Sequence, residues 1–257
     1  MNEKNNYIYV NGCSYTYGIG IEVSEQRQKR WATLLSNKLG TDVLNSACPG
    51  SSNFRISRHT YQDILTADKL PSLGIIMWSD GPRQEYFRPQ ENEYDWLDMA
   101  QVTPQGVGSI KSFFHRDAFE SFFSFINSEQ RALMHTINHM LSVEMLFKAH
   151  NIPLIHLQFK SNTNRHYRHF IETNKDTNSR PLRNVMKHIE ACVGYLEKNN
   201  PYVYGFNKDE SFGKLMHDKQ LPFSTISLGH PEHTCHEAMA EWIYDLIKSD
   251  NDIIKRL

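Results

Sequence analysis

The chain has 257 residues, of which 39% are hydrophobic and 22% charged, a composition typical of a soluble globular protein. We expect a single domain over residues 1–257, with insertions near 83–116 and 160–181. The formal net charge of −1 gives no global field that would attract nucleic acid or an anionic membrane. No apolar run approaches the ~20 residues that span a bilayer. The polar N-terminus is not typical of a secretion signal, and the cysteines form no Cys-x-x-Cys pair, so we expect a reduced, cytoplasmic protein.

Strand and helix patterns alternate along the chain. Buried strands are predicted at 7–12, 42–44, 73–78, 152–159 and 203–206. Helices are predicted at 27–39, 54–67, 117–150, 182–199 and 236–256. Residues 83–116 are irregular, and the polar stretch 160–181 predicts a loop or lid. This order favours an α/β fold with three layers, in which helices cover both faces of a mostly parallel, doubly wound sheet of about five strands.

A hydroxyl nucleophile is predicted at the end of the first strand. The apolar run Tyr7–Val10 leads into Asn11-Gly12-Cys13-Ser14, and Gly18 follows four residues after Ser14. In open α/β sheets ligands bind beyond the carboxyl ends of the strands, so a serine here is well placed for chemistry. The alternative is that Ser14 only caps a helix.

A histidine near the other end of the chain is the natural partner of this serine. Gly229-His230-Pro231 stands before a helical run, at a strand–helix junction like that of Ser14. A serine and a histidine in such positions are the two halves of a hydrolase dyad. The alternative is that His230-Pro231 is only a turn that starts a helix.

Together these segments resemble the sequence blocks of the SGNH (GDSL-like) hydrolases. Asn11 to Gly18 is similar to the family's Gly-Asp-Ser-x-Thr-x-Gly block, and Asn45 to Gly50 to its second block. His230-Pro231, with Ala240 ten residues after the histidine, is similar to the fifth block. The resemblance implies that Ser14 is the nucleophile, that His230 is the general base and that the Gly50 N–H serves the oxyanion hole. Gly50 could also be a plain turn glycine.

The sequence departs from the family pattern at three positions. Cys13 replaces the aspartate before the nucleophile, and Ser227 replaces the aspartate that precedes the histidine by three residues. Asp80 stands where the third block has an asparagine, and an ionised carboxylate cannot donate to an oxyanion. Losing one such donor costs roughly 2.7–4 kcal/mol of transition-state stabilisation. We take Asn53 as the substitute donor, with an ordinary helix cap as the alternative, and a backbone carbonyl or Asp218 as the orienter of His230.

Several residues after the third strand could contact a substrate. Trp78 belongs to an aromatic group that could line an acyl or sugar pocket, with core packing as the alternative; the others are Tyr86, Phe87, Tyr94 and Trp96. Arg83 could bind an anionic substrate group, or it could pair with an acid such as Glu85. Asp80 is assigned to the same substrate-binding group, with a structural role as its alternative.

Two other kinds of site can be weighed from the sequence. His230, His233, Cys235 and His236 are close in sequence and could bind a metal, but their spacing lacks the His-x-x-x-His register and an acidic cluster. The polar stretch from Lys160 to Arg183 could bind phosphate or nucleic acid, although the near-zero net charge argues against that. We therefore expect neither a metal nor a cofactor, and neither nucleic acid nor a membrane as partner.

The function implied by the resemblance is hydrolysis of an ester through a Ser-His acyl-enzyme. An O-acyl group on a carbohydrate or small molecule, such as O-acetyl, is the expected substrate class, by analogy of fold and motif. The alternative is an SGNH-fold binding or regulatory protein with weak or no catalysis, which the changes at Asp80 and Ser227 favour.

Overall fold

A computed structural model describes residues 6–79, 81, 83–89, 94–99, 129–158, 162–204, 211–222 and 229–257. Six strands are defined there: β1 (Tyr7–Asn11), β2 (Asp42–Asn45), β3 (Leu73–Trp78), β4 (Gln84–Pro89), β5 (Tyr94–Met99) and β6 (Leu154–Gln158). The helices of the same residues are α1 (Ser14–Tyr17), α2 (Gln26–Lys29), α3 (Trp31–Leu39), α4 (Asn53–Leu65), α5 (Glu129–Ala149), α6 (Asn162–Asn174), α7 (Arg180–Asn199), α8 (Phe212–Asp218), α9 (His233–Lys248) and α10 (Asn251–Ile254). None of these helices combines the length and apolar composition that crossing a bilayer requires.

The main sheet has four strands in the order β2-β1-β3-β6, and every neighbouring pair is parallel. This confirms the predicted α/β fold with a mostly parallel sheet. Of the fifth predicted strand, 203–206, the structure describes residues 203 and 204, and there Val203 forms a parallel bridge with His156. Because the strands are parallel, their carboxyl ends all lie at one edge, where the loops after β1, β2 and β3 come together.

Helices cover both faces of the sheet. Side chains alternate along each buried strand: Tyr9 faces α4, α5 and α7, whereas Ile8 and Val10 face α3 and α9. Strand β3 is buried along its whole length and contributes to both cores. Continuous apolar runs such as Leu73–Trp78 are what a parallel sheet with two covered faces requires.

Three predictions of secondary structure differ from the structure. The loop expected over 160–181 is wrong for Asn162–Asn174, which is helical because Tyr167, Phe170 and Ile171 pack on the core. The single helix expected at 27–39 is two helices, divided at Arg30, whose backbone is extended. Within the irregular stretch, β4 and β5 form an antiparallel hairpin. Residues 100–128, which include the first part of the predicted helix 117–150, lie outside the described part of the chain.

A buried polar cluster connects β3, β6 and α5. The Trp78 indole Nε1 donates to His156 Nδ1 at 2.9 Å, which leaves the imidazole proton on Nε2, 3.1 Å from Glu144 Oε2. Asn200 Nδ2 donates to the same carboxylate oxygen at 2.7 Å. Burial alone would raise the pKa of Glu144, but the His156 and Asn200 hydrogen bonds together hold it below its usual value. The cluster satisfies groups that would be costly to bury alone.

A second buried histidine fixes the start of α3. His236 is fully buried, and its Nδ1 accepts the backbone N–H of Trp31 at 3.3 Å. Burial lowers the pKa of His236 to about 3. The imidazole is therefore neutral in the folded protein, and it satisfies one of the N–H groups that a helix leaves open in its first turn.

The low pKa of His236 makes folding sensitive to acid. Below about pH 6.5 the unfolded chain protonates this imidazole and the folded chain does not, so stability falls with pH down to the folded pKa. At pH 5.5 the loss is about 1 kcal/mol from this residue. We expect His236→Gln to flatten the decrease in Tm between pH 7 and pH 5, measured by thermal unfolding.

The matched control for this measurement is His217→Gln, because the His217 side chain is 90% exposed. That variant should retain the wild-type pH dependence of Tm. Equal slopes for wild type and His236→Gln would contradict the assignment of His236 as a source of acid sensitivity.

Candidate active site

The nucleophile turn follows β1 directly. Cys13 precedes α1, Ser14 is its first residue, and Gly18 ends it with a positive φ of 101°. Gly12 cannot carry a side chain, because a Cβ would lie 2.3 Å from Thr16 Oγ1 and 3.0 Å from Met77 O. These glycines allow one tight helical turn to lie against the end of β3, with Ser14 at its start.

The structure brings the predicted serine and histidine together. Ser14 Oγ lies 3.0 Å from His230 Nε2, although 216 positions separate the two residues in the sequence. Ser14 is 6% exposed and His230 is partly buried. A 3.0 Å contact is within the range in which a general base can take a hydroxyl proton. The hydroxyl donates when Nε2 carries no proton, which is the arrangement that activates a serine.

The loop after β2 is held against the nucleophile turn by hydrogen bonds. Asn45 Nδ2 donates to Thr16 O at 3.2 Å, and Asn45 Oδ1 accepts the Ala47 N–H at 3.0 Å. The Cys48 N–H donates to Gly12 O at 3.3 Å. Gly50, two residues further, has a positive φ of 82°, which favours glycine. The second sequence block therefore lies beside the first.

Two backbone donors in this region have no acceptor among the described residues. The N–H of Ser14 belongs to the open first turn of α1, and the N–H of Gly50 lies in the loop before α4. Both follow carboxyl ends of adjacent parallel strands. Backbone N–H groups that are free of internal partners are available to an oxyanion.

Asn53 is buried and its side chain is already in use. Its Nδ2 donates to Ser79 O at 3.1 Å and to Thr136 Oγ1 at 3.0 Å. Its Oδ1 accepts the Ser79 N–H at 2.8 Å. Both amide hydrogens therefore point at protein acceptors, and donation to an oxyanion requires one of these bonds to be exchanged. In this arrangement Asn53 joins the start of α4 to the end of β3 and to α5.

Of the residues predicted to contact a substrate, Arg83 lies at the edge of the sheet and Trp78 lies in the core. Arg83 lies at the same sheet edge, partly buried, and its Nη1 donates to Ser79 Oγ at 2.8 Å. Trp78 is 1% exposed and stacks on His156, so its ring is part of the core and not of the site surface. Asp80 lies outside the described residues, as do the side chains of the aromatic residues on β4 and β5.

Asp218, suggested as an orienter of His230, lies elsewhere. Its carboxylate is 3.6 Å from Lys214 Nζ and 3.5 Å from His217 Nδ1, on the exposed side of α8. Ser227 is outside the described part of the chain.

The three other candidate metal ligands near His230 have separate partners. Cys235 Sγ donates to Pro222 O, His233 lies 3.5 Å from Glu237, and His236 accepts from Trp31. No group of three or more His, Cys, Asp or Glu side chains with metal-binding geometry occurs among the described residues.

Two residues near His230 were not singled out in the sequence. The ring of Tyr15 lies 5.1 Å from the His230 ring, centroid to centroid, with 31° between the planes. Gly20 has a φ of 106°, and a Cβ there would lie 2.3 Å from Pro231 O. The closely spaced Gly18 and Gly20 after the serine block are a signal for Gly20, whereas nothing in the sequence pairs Tyr15 with His230.

Comparisons with known proteins concern the fold of the chain. No family model and no curated protein matches the sequence. Among solved structures, a protein assigned to the G-D-S-L lipolytic family from Desulfitobacterium hafniense DCB-2 superimposes with a TM-score of 0.51 and 12% identity, over 94% of this chain and 99% of that one. The psychrotrophic esterase EstA from Pseudoalteromonas sp. gives a TM-score of 0.51 and 11% identity, over 95% and 97%.

A carbohydrate esterase whose active site is described as having divergent catalytic and non-catalytic binding functions also gives a TM-score of 0.51. It is 13% identical, over 99% of this chain and 68% of that one. At this level of identity the likeness concerns the fold. The chain therefore has the fold of the GDSL-type (SGNH) lipolytic proteins and esterases, as its sequence blocks predict.

Proposed function

We propose that the protein is a serine esterase that cleaves an ester through a Ser-His acyl-enzyme mechanism. The observation that carries the proposal is the 3.0 Å contact between Ser14 Oγ and His230 Nε2 at the carboxyl edge of the sheet. Serine and histidine side chains at hydrogen-bond distance, together with backbone donors that have no acceptor in the described part of the chain, are the parts that acyl transfer needs. The shared fold with esterases supports the same reaction class.

In the proposed reaction Ser14 Oγ attacks the ester carbonyl carbon while His230 Nε2 takes the hydroxyl proton. The carbonyl oxygen becomes an oxyanion, which the N–H groups of Ser14 and Gly50 stabilise. The C–O bond to the alcohol then breaks, and His230 returns its proton to the leaving alkoxide. Water attacks the acyl-enzyme with His230 again as base, which releases the carboxylic acid and restores Ser14. No cofactor takes part in these steps.

Asn53 is the candidate for a third oxyanion donor. Asn53 serves only if one of its bonds, to Ser79 or to Thr136, is exchanged when substrate binds. If only two backbone donors contact the oxyanion, we expect a slower enzyme, because one donor stabilises the transition state by roughly 2.7–4 kcal/mol.

On the substrate side, we infer that Arg83 binds an anionic group. Arg83 is partly buried, its guanidinium donates to Ser79 Oγ, and it forms no ion pair with any acid whose side chain is described. The hairpin β4–β5 begins directly after Arg83 and lies against α4, which starts at Asn53. Arg83 thus lies between the carboxyl end of β3 and the hairpin that contacts α4. A small O-acyl group, such as O-acetyl, on an acidic carbohydrate or small molecule would fit this charge.

A binding protein with the same fold is the second candidate. The occupied amide of Asn53 favours it, because an efficient oxyanion hole needs free donors. One of the structurally similar proteins is described as combining catalytic and non-catalytic binding functions in one site. Reactivity of Ser14 separates the two candidates, because a binding protein has no need of an activated serine.

We expect a fluorophosphonate probe to add once to the wild-type protein, at Ser14, as measured by intact mass and peptide mapping. Ser14→Ala should abolish labelling, and His230→Gln should reduce its rate by at least about a hundredfold, because the base activates the nucleophile.

The chain offers a matched control in a second Ser-His pair. Ser57 Oγ lies 3.1 Å from His139 Nδ1, but Ser57 lies within α4 and not in a turn that follows a strand, and its hydroxyl donates to Phe54 O at 3.0 Å. Ser57→Ala should be labelled like the wild type. A folded wild-type protein that stays unlabelled would exclude the esterase proposal and leave the binding protein as the better account.

The charge of the preferred ester can be tested with a matched substrate pair, 4-acetoxybenzoate and its neutral methyl ester. We expect Arg83→Gln to lower the ratio of kcat/KM for the anionic over the neutral ester by about 10- to 100-fold, since a hydrogen bond to a charged group contributes about 1.5–3 kcal/mol. Arg165→Gln, on the exposed side of α6, is the control and should leave the ratio unchanged. An unchanged ratio in Arg83→Gln would remove Arg83 from the substrate site.

A further inference from the structure

Two consecutive residues of α1 contact the same imidazole. Ser14 Oγ meets the edge of the His230 ring, 3.0 Å from Nε2. The Tyr15 ring packs against the imidazole at a tilt, with ring centroids 5.1 Å apart and 31° between the planes. The turn that presents the nucleophile therefore also places an aromatic ring against the base.

The loop that follows α1 also lies close to His230 and Pro231. A Cβ on Gly20 would lie 3.1 Å from His230 Cβ and 2.3 Å from Pro231 O. Only a residue without a side chain allows the two segments to approach so closely, and the φ of 106° is unfavourable for other residues. Ser14, Tyr15 and Gly20 thus all lie against the segment His230-Pro231.

Tyr15 is itself anchored. It is partly buried and packs against the apolar cluster between the sheet, α3 and α9. An anchored ring can restrict the rotation of the imidazole about its side-chain bonds, which a mobile surface ring cannot do. Aromatic faces also attract cations within about 6 Å of the ring centroid. In the proposed reaction His230 becomes a cation each time it takes a proton.

We propose that Tyr15 is a positioning residue for His230: its ring holds the imidazole with Nε2 directed at Ser14 Oγ and stabilises the imidazolium that forms during acyl transfer. This inference rests on the proposed esterase function. It assigns to an aromatic ring part of the work that an acidic residue performs in a Ser-His-Asp triad. In the family that the sequence resembles, that aspartate stands where this chain has Ser227.

The test compares Tyr15→Phe, which keeps the ring, with Tyr15→Leu and Tyr15→Met, which remove it. We expect the Phe variant to react with the fluorophosphonate within about threefold of the wild-type rate, and the Leu and Met variants at least about tenfold more slowly, because small misplacements of a catalytic group are costly. With 4-nitrophenyl acetate as substrate, kcat should fall in the Leu and Met variants while KM changes little. Tm measurements confirm folding, and Met provides an unbranched filler of the space if Leu disturbs the packing.

The matched control is Tyr17→Leu. Tyr17 is on the same turn and is also partly buried, but no described contact joins it to His230. This variant should react at the wild-type rate.

The outcomes separate the two proposals. If the wild type is labelled and the folded Leu and Met variants react as fast as the wild type, the role proposed for Tyr15 is wrong and the esterase proposal stands. If Phe is as slow as Leu, the hydroxyl and not the ring is responsible, which also overturns the inference. If the folded wild type is not labelled at all, the esterase proposal fails and the role of Tyr15 fails with it.

Discussion

The contact between Ser14 and His230 depends on the parallel arrangement of the sheet more than on either residue. Because β1, β2 and β3 run in the same direction, the nucleophile turn, the Gly50 loop and Ser79 follow strand ends at one edge. The His230 side chain reaches this edge from the segment before α9, which packs on α3. A change that moved β1 by one residue in its register would move the turn that carries Ser14 about 3.3 Å along the strand direction and break its contact with the base.

Much of the fold could be predicted because its signals are local. The buried strands are continuous apolar runs, and the turn residues after them mark the edge where ligands bind. The positions of Ser14, Gly50 and His230 followed from short blocks whose order and spacing span most of the chain. The helix at Asn162–Asn174 escaped prediction because most of its residues are polar and only one narrow stripe, with Tyr167, Phe170 and Ile171, is buried. Tertiary packing, and not local propensity, stabilises such a helix.

The partners of polar side chains could not be predicted, because they are set by packing across the fold. Asn53 has the residue type of an oxyanion donor, yet Ser79 and Thr136, from two other elements, take up both of its amide hydrogens. Trp78 has a side chain that could line a substrate pocket, yet its indole N–H donates to the buried His156. In both cases a buried polar group must find an acceptor or donor inside the protein, and that requirement decides where the side chain goes.

The place of His230 just before α9 links reactivity to the docking of one helix. The apolar face of α9 packs with α3 on one side of the sheet, whereas the nucleophile turn belongs to β1 in the middle of it. Local opening of α9 would therefore carry the base away while the sheet and Ser14 remain folded, since elements of a protein can open with different free energies. The serine would then be an ordinary, unreactive hydroxyl. Under partial denaturation, chemical reactivity would disappear before the secondary structure of the sheet does, and any ligand that retains α9 against α3 would act as an activator.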